Sequence, residues 1–295
     1  MGRDLAESRV EVRDLYGRAD DLLGFDFARL CWEGPAEDLT RTENAQPALL
    51  VHSYAVWSSL PDDVRASVSI AAGHSLGEFT AYLAAGVLTF EDALRLVRLR
   101  GELMGRAGEV RPGTMAAIIG LDLPVVQQVC DSVTAGTVVA ANINAPGQIV
   151  VSGDIPAVEE ACVAAERAGA RRTIPLNVSG AFHSPLVEDA REGLAGALAE
   201  VDMKNPAFPV VANVTGGAVT SVAAARELLV AQLTSPVRWV ECVETMLATR
   251  PRLWLELGPG KVLSGLLRRV DRSVEVRAIA GPSNLFDLSE EWTHA

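Results

Sequence analysis

The stretch Ala71–Thr80, AAGHSLGEFT, constrains this chain more than any other. It sets Ser75 between Gly73 and Gly77. A run of small and β-branched residues, ASVSIAAG, leads in, and EFTAYLAAGV follows with helical spacing that closes near Gly86. A serine two residues from a glycine on each side is common in ordinary turns. It becomes a nucleophile motif when it joins a strand to a helix, because that sharp turn lifts the hydroxyl clear of the sheet. Side chains at positions 73 and 77 are expected to collide where strand meets helix. The serine would sit at a helix N-terminus, where free amides receive developing negative charge, and the Leu76 amide is the natural first donor.

The rest of the chain alternates strand and helix patterns. Leu5, Val12, Leu15, Ala19, Leu22 and Leu23 predict one helix ending at Gly24, and QPALLVHSYAVWSSL a second, buried one. Thr89 opens TFEDALRLVRLRGELM with a Thr-x-x-Asp capping pattern. From residue 112 the order reads β-α-β-β-α-β, a split βαβ arrangement. SPLVEDAREGLAGALAEV then begins a helix, with Ser184 as cap and Pro185 at its first position. FPVVANV and RLWLEL read as strands, and GKVLSGLLRRV as a closing helix. The expected fold is α/β. Residues 1–111 and 179–295 form a large catalytic unit like that of the α/β-hydrolases, with a mainly parallel sheet covered by helices on both faces. Residues 112–178 form an inserted ferredoxin-like βαββαβ unit.

Composition narrows the function. A net charge of −12 over 295 residues argues against nucleic-acid binding, which normally shows a basic footprint. No run approaches the roughly 18 apolar residues of a membrane span, and the charged start MGRDLAESRV does not read as a signal peptide. Cys31, Cys130, Cys162 and Cys242 are far apart and never in a Cys-x-x-Cys pair. They suggest neither metal nor disulfide, and free thiols fit a reducing cytoplasm.

A nucleophilic serine requires a base, and the chain has four histidines. His74 adjoins Ser75, where neighbours across the turn point apart, so it is read as structural or as a wall of the site. His52 lies in an apolar helix and reads as a core or surface residue. His294 is at a terminus that is expected to fray. His183, in VSGAFHSPL, falls in a loop between a predicted strand and a helix, where α/β sites are built. By elimination it is the best base.

Arg100 is the other candidate. On the helix from Thr89, residues Phe90, Ala93, Leu94, Leu96, Val97, Leu103 and Met104 share one arc, and Glu91, Arg95, Arg98, Glu102 and Arg106 the opposite one. Arg100 falls within the apolar arc. A buried guanidinium keeps its charge and requires an anion. That anion is either a fixed Asp or Glu, or a substrate carboxylate gripped by the guanidinium fork. Snorkelling to the surface is the third possibility.

Taken together, GHSLGE, QPALL, RLVRLRGELM, MAAIIGL, NINAPGQIVVSG, GAFHSPL and ELGPGKVLSGL resemble, in order and over nearly the whole chain, the malonyl-CoA:acyl-carrier-protein transacylases and the acyltransferase domains of polyketide synthases. The resemblance implies an acylated Ser75, a catalytic His183 and an Arg100 that holds a malonyl carboxylate. It implies a Gln232 whose main chain orients the histidine, and a Phe182 that fills the space a branching methyl would need. The implied substrates are malonyl-CoA and the phosphopantetheine thiol of an acyl carrier protein, with no metal or redox cofactor. A cytoplasmic monomer is expected, with Arg171, Arg172, Arg268 and Arg269 as candidate docking cations. A discrete polyketide acyltransferase or acyl hydrolase, and more distantly an esterase, are the alternatives. One block is unmatched: the family's opening strand and GQGSQ loop, whose first glutamine lines the oxyanion hole. The expectation is that a segment of about 15 residues, one strand and its loop, precedes the present Met1.

Overall fold

A computed structural model describes residues 1–293, with side-chain environments through Leu288; His294 lies outside the described residues. Among the described residues nine strands form three sheets. They are β1 (Ala71–Ala72), β2 (Gly113–Ile119), β3 (Val138–Ala145), β4 (Gln148–Asp154), β5 (Arg172–Pro175), β6 (Val210–Val211), β7 (Ala218–Val219), β8 (Trp254–Leu257) and β9 (Val276–Ile279).

The sheet of residues 113–175 has the order β3-β4-β2-β5, antiparallel throughout. Helices Leu123–Ser132 and Ile155–Arg167 connect its strands. This is the split βαβ order expected of 112–178. Ala116, Ile118, Ile149 and Val151 alternate toward the helices and pack on Val126, Val158 and Ala161. Met115, Ala117 and Val150 point to the other face, where Phe182 packs against them.

In the remainder, β1 and β6 run parallel, β7 is antiparallel to β6, and β8 and β9 run parallel. The largest core gathers helices Arg3–Ser8, Val10–Leu23, Thr42–Ser58, Leu76–Ala84 and Phe90–Val110 around Tyr16, Phe27, Phe79, Tyr82 and Leu94, all fully buried. The chain is thus α/β. The predicted first helix is two helices, because Arg9 is extended (φ −138°) and Ser8 Oγ donates back to the Leu5 carbonyl. Gly24 ends the second with φ 74°. The strand expected over ASVSIAAG pairs only at Ala71–Ala72, and that over FPVVANV only at Val210–Val211, since each registers against the other for just two residues.

A cleft of about 1070 Å³ lies between β1 and β8. Ile70, Ala72, Trp57, Leu255, Leu267 and Val276 are among the side chains that line it. Strand β1 is paired only to β6, and β8 only to β9, so each has one unpaired edge.

Candidate active site

Ser75 links β1 to helix Leu76–Ala84. Its backbone is strained, at φ 52° and ψ −107°. Two devices hold it there. A Cβ on Gly73 would lie 1.9 Å from the Gly77 carbonyl carbon and oxygen, so only glycine fits. Asn213 clamps the turn from outside. Its Oδ1 accepts from the Ser75 amide (2.7 Å) and its Nδ2 donates to the Gly73 carbonyl (2.8 Å). The expectation at Gly77 was wrong: a Cβ there meets nothing within 4 Å, because Gly77 borders the open cleft.

The serine hydroxyl is shared. Ser75 Oγ lies 2.8 Å from His183 Nε2 and accepts from Arg100 Nη2 at 3.2 Å. His183 Nδ1 lies 2.9 Å from the main-chain oxygen of Gln232, which can only accept, so Nδ1 carries the proton and Nε2 is bare toward the serine. His183 is 3% exposed and has φ 56°. Burial and the neighbouring Arg100 charge push its pKa down to about 3. It is a neutral imidazole poised to accept the serine proton.

Leu76 occupies the first helical position, so its N–H has no intrahelical acceptor. His74 Nε2 donates to Asn144 Oδ1 (2.7 Å) at the end of β3, and its ring leans on Trp239. His74 therefore ties the serine turn to the four-stranded sheet. Phe182 is half-buried, wedged between the largest core and the β2–β4 face. His52 is a buried core residue.

Arg100 is 1% exposed. Thr89 Oγ1 caps its helix by accepting from the Asp92 amide, which fixes the register that turns Arg100 inward. Nη1 donates to Gln46 Oε1 (2.6 Å) and Nη2 to Gln232 Oε1 (3.0 Å), and the guanidinium lies 5.6 Å above the Phe79 ring centre. Desolvation lowers its pKa to about 10, which leaves it charged at neutral pH. No carboxylate makes an ion pair with it among the described residues. Both amides present neutral oxygens, and a bidentate anion is a stronger match for the fork.

Four residues escaped the sequence reading: Asn213, Asn144, Gln46 and Glu78. The last three lie inside motif blocks that were recognised, and Gln46 opens QPALL. Asn213 had no local signal.

A serine beside a bare imidazole nitrogen, a buried cation at the same hydroxyl and a free amide at the helix start are groups suited to acyl transfer. Residues 1–283 match the family model "Acyl transferase domain", and the chain belongs to that family. The chain is an acyltransferase. Among its relatives is the malonyl CoA-acyl carrier protein transacylase of Bacillus subtilis (strain 168), 43% identical over 97% of this chain and 90% of that protein. The Escherichia coli (strain K12) protein of the same name is 41% identical over 96% of this chain and 92% of its own length. The solved acyl-carrier-protein S-malonyltransferase of Bartonella henselae superposes with a TM-score of 0.95 at 38% identity, covering 99% and 95% of the two chains. A malonyl-transacylase in complex with a type II polyketide acyl carrier protein gives a TM-score of 0.94 at 40% identity, covering 99% and 94%.

Proposed function

We propose that the chain moves a malonyl group from malonyl-CoA to the phosphopantetheine thiol of an acyl carrier protein through a malonyl ester on Ser75. The observation that carries this is Ser75 Oγ placed between His183 Nε2 at 2.8 Å and the buried Arg100 guanidinium at 3.2 Å. His183 Nε2 takes the hydroxyl proton as Oγ attacks the thioester carbonyl carbon. The Leu76 amide steadies the oxyanion. The C–S bond then breaks, and the leaving coenzyme A sulfur takes the proton from His183. The carrier thiol repeats the sequence in reverse, giving up its proton to His183 and releasing Ser75. Gln232 holds the imidazole in register. Arg100 binds the malonyl carboxylate in its fork, and Phe182 closes the space beside the methylene carbon. The chemistry calls for no metal and no redox cofactor.

The solved complex among its relatives joins a transacylase to its carrier protein. A carrier for this chain would meet Arg171, Arg172 and Arg269, which line a notch of about 310 Å³, with Arg268 next to Arg269 on helix Val262–Val270. All named site residues lie in one chain, so the reading needs no second copy, and the protein is read as a cytoplasmic monomer. The type II polyketide relative keeps a second reading alive, that of a discrete polyketide acyltransferase acting through the same residues. Brief mixing with malonyl-CoA and mass spectrometry should place a malonyl adduct on the peptide holding residue 75. An adduct that persists in Ser75→Ala overturns the assignment. Adding fatty-acid and polyketide carriers then shows which one removes the label, and label lost to water alone marks a hydrolase.

A further inference from the structure

Glu78 is a buried carboxylate at the site for which the transfer chemistry has no use. It is fully buried, three residues after Ser75 in the first turn of helix Leu76–Ala84. Its Oε2 accepts from the Asn213 main-chain amide (3.0 Å) and from Gln232 Nε2 (2.6 Å). Its Oε1 has no hydrogen-bond partner. The Gln232 amide is thereby fixed. Its NH2 faces the carboxylate, so its Oε1 faces Arg100 Nη2 at 3.0 Å. A cation, an amide dipole and an anion stand in line. The buried Arg100 charge is balanced through one intervening side chain rather than by contact.

We propose that Glu78 is a positioning residue that sets, through the Gln232 amide, how much positive charge Arg100 offers to a substrate carboxylate, so that malonyl capture is linked to proton uptake on Glu78. The inference rests on the malonyl reading given above. An incoming carboxylate on Arg100 adds a second anion to a pocket that already holds one. Burial makes two negative charges around one cation unfavourable. Proton uptake from solvent onto the unpartnered Oε1 restores the balance. No covalent bond changes.

The groups that face Glu78 leave it alone in the neutral range. Burial raises its pKa to about 7, against the pull of Asn213, Gln232 and Arg100. Tyr82, on its own helix, and Cys242, on Trp239–Ala248, are both pushed upward by burial, Cys242 to about 12. Burial lowers His74, and His183 is held near 3. Arg100 keeps its proton throughout. As pH rises from 6 to 8, Glu78 ionises, its charge offsets that of the still-protonated Arg100 and malonyl-CoA binds more weakly.

The test is KM for malonyl-CoA and for acetyl-CoA from pH 6 to 8, in the wild type, Glu78→Gln and Glu78→Asp. In the wild type, malonyl KM should rise on the order of five- to tenfold, as coupling between sites commonly gives, with acetyl KM flat. Glu78→Gln should flatten the malonyl profile near its low-pH value, and Glu78→Asp should restore a slope. A purely structural Glu78 would shift both substrates alike and leave the slope in place; that result overturns the proposal. Should Glu78→Gln fail to fold, titration calorimetry of malonyl-CoA into Ser75→Ala at pH 7, in two buffers of different ionisation enthalpy, reads the proton directly. Uptake beyond that seen with acetyl-CoA supports the linkage, and equal uptake removes it. If wild-type Ser75 takes no malonyl group at any pH, the transfer reading falls and this inference with it. Malonylation with a flat profile removes this inference alone.

Discussion

The imidazole of His183 donates from Nδ1 to the main-chain oxygen of Gln232 at 2.9 Å, and this single bond decides which nitrogen meets Ser75. A carbonyl oxygen can only accept, so it selects the same tautomer a carboxylate would, with a weaker bond but without placing another negative charge in the pocket. With Arg100 close by, the histidine is kept neutral.

That neutrality predicts the acid side of the rate profile. His183 titrates at about 3 in the folded chain, far below the ordinary value of 6.5. At saturating malonyl-CoA, rapid-quench measurement of Ser75 acylation should show no loss from pH 8 to pH 5. An acid limb centred near 6.5 would contradict it. The stability linkage has a definite sign. Below pH 6.5 the unfolded chain binds a proton that the folded chain refuses, so this contribution falls as pH drops from 6.5 toward 3.

Arg100→Ala should lose malonyl transfer and gain relative activity on acetyl-CoA. Removing a charged partner from a buried site costs roughly 2–5 kcal/mol, so selectivity should drop by tens of fold or more. Arg100→Lys should not rescue it, because an ammonium cannot reproduce a fork that reaches Gln46 and Gln232 together. Competition between the two thioesters checks both variants.

Comparing Ser75→Gly with Ser75→Ala separates strain from chemistry. Both lack the hydroxyl and should be inactive. Glycine accepts φ 52° and ψ −107° where alanine does not. The glycine variant should be more stable by about 1–3 kcal/mol in urea denaturation. Equal midpoints would mean that the turn stores no strain.

Asn213→Ala should be costly without touching substrate. It frees the Ser75 amide and the Gly73 carbonyl at once, and buried groups left unpaired cost about 1–3 kcal/mol each. Acylation should slow as the serine turn loosens. Normal kinetics in a variant with an unchanged denaturation midpoint would dismiss the clamp.

The two glycines of the turn should part company. Gly73→Ala meets backbone at 1.9 Å and should not yield a folded chain, whereas Gly77→Ala meets nothing. Soluble expression and circular dichroism distinguish them.

Much of this was legible in the sequence, for identifiable reasons. Arg100 betrayed itself because a helix has a period, and a charge on the wrong arc breaks it. Ser75 was legible because two glycines mark a turn. His183 emerged by elimination from four histidines, and the split βαβ order could be read because each strand and helix of 112–178 carries its own pattern. Asn213 was not legible. It sits in FPVVANV, read as strand, yet the ladder stops at Val211 and the asparagine turns back to Gly73, 140 residues earlier. Its partner is fixed by tertiary contact, which leaves no local period. The Glu78–Gln232 contact spans 154 residues and was hidden for the same reason.

The cleft between β1 and β8 divides the large unit mechanically. Across it no backbone ladder is shared: β1 pairs only with β6, and β8 only with β9. Cooperativity in a sheet travels through its ladders, so this boundary is where the fold transmits least. Opening there breaks no strand pairing. In native-state hydrogen exchange the amides of β8 and β9 should therefore open as a separate, less protected unit, ahead of those in the fully laddered sheet of residues 113–175.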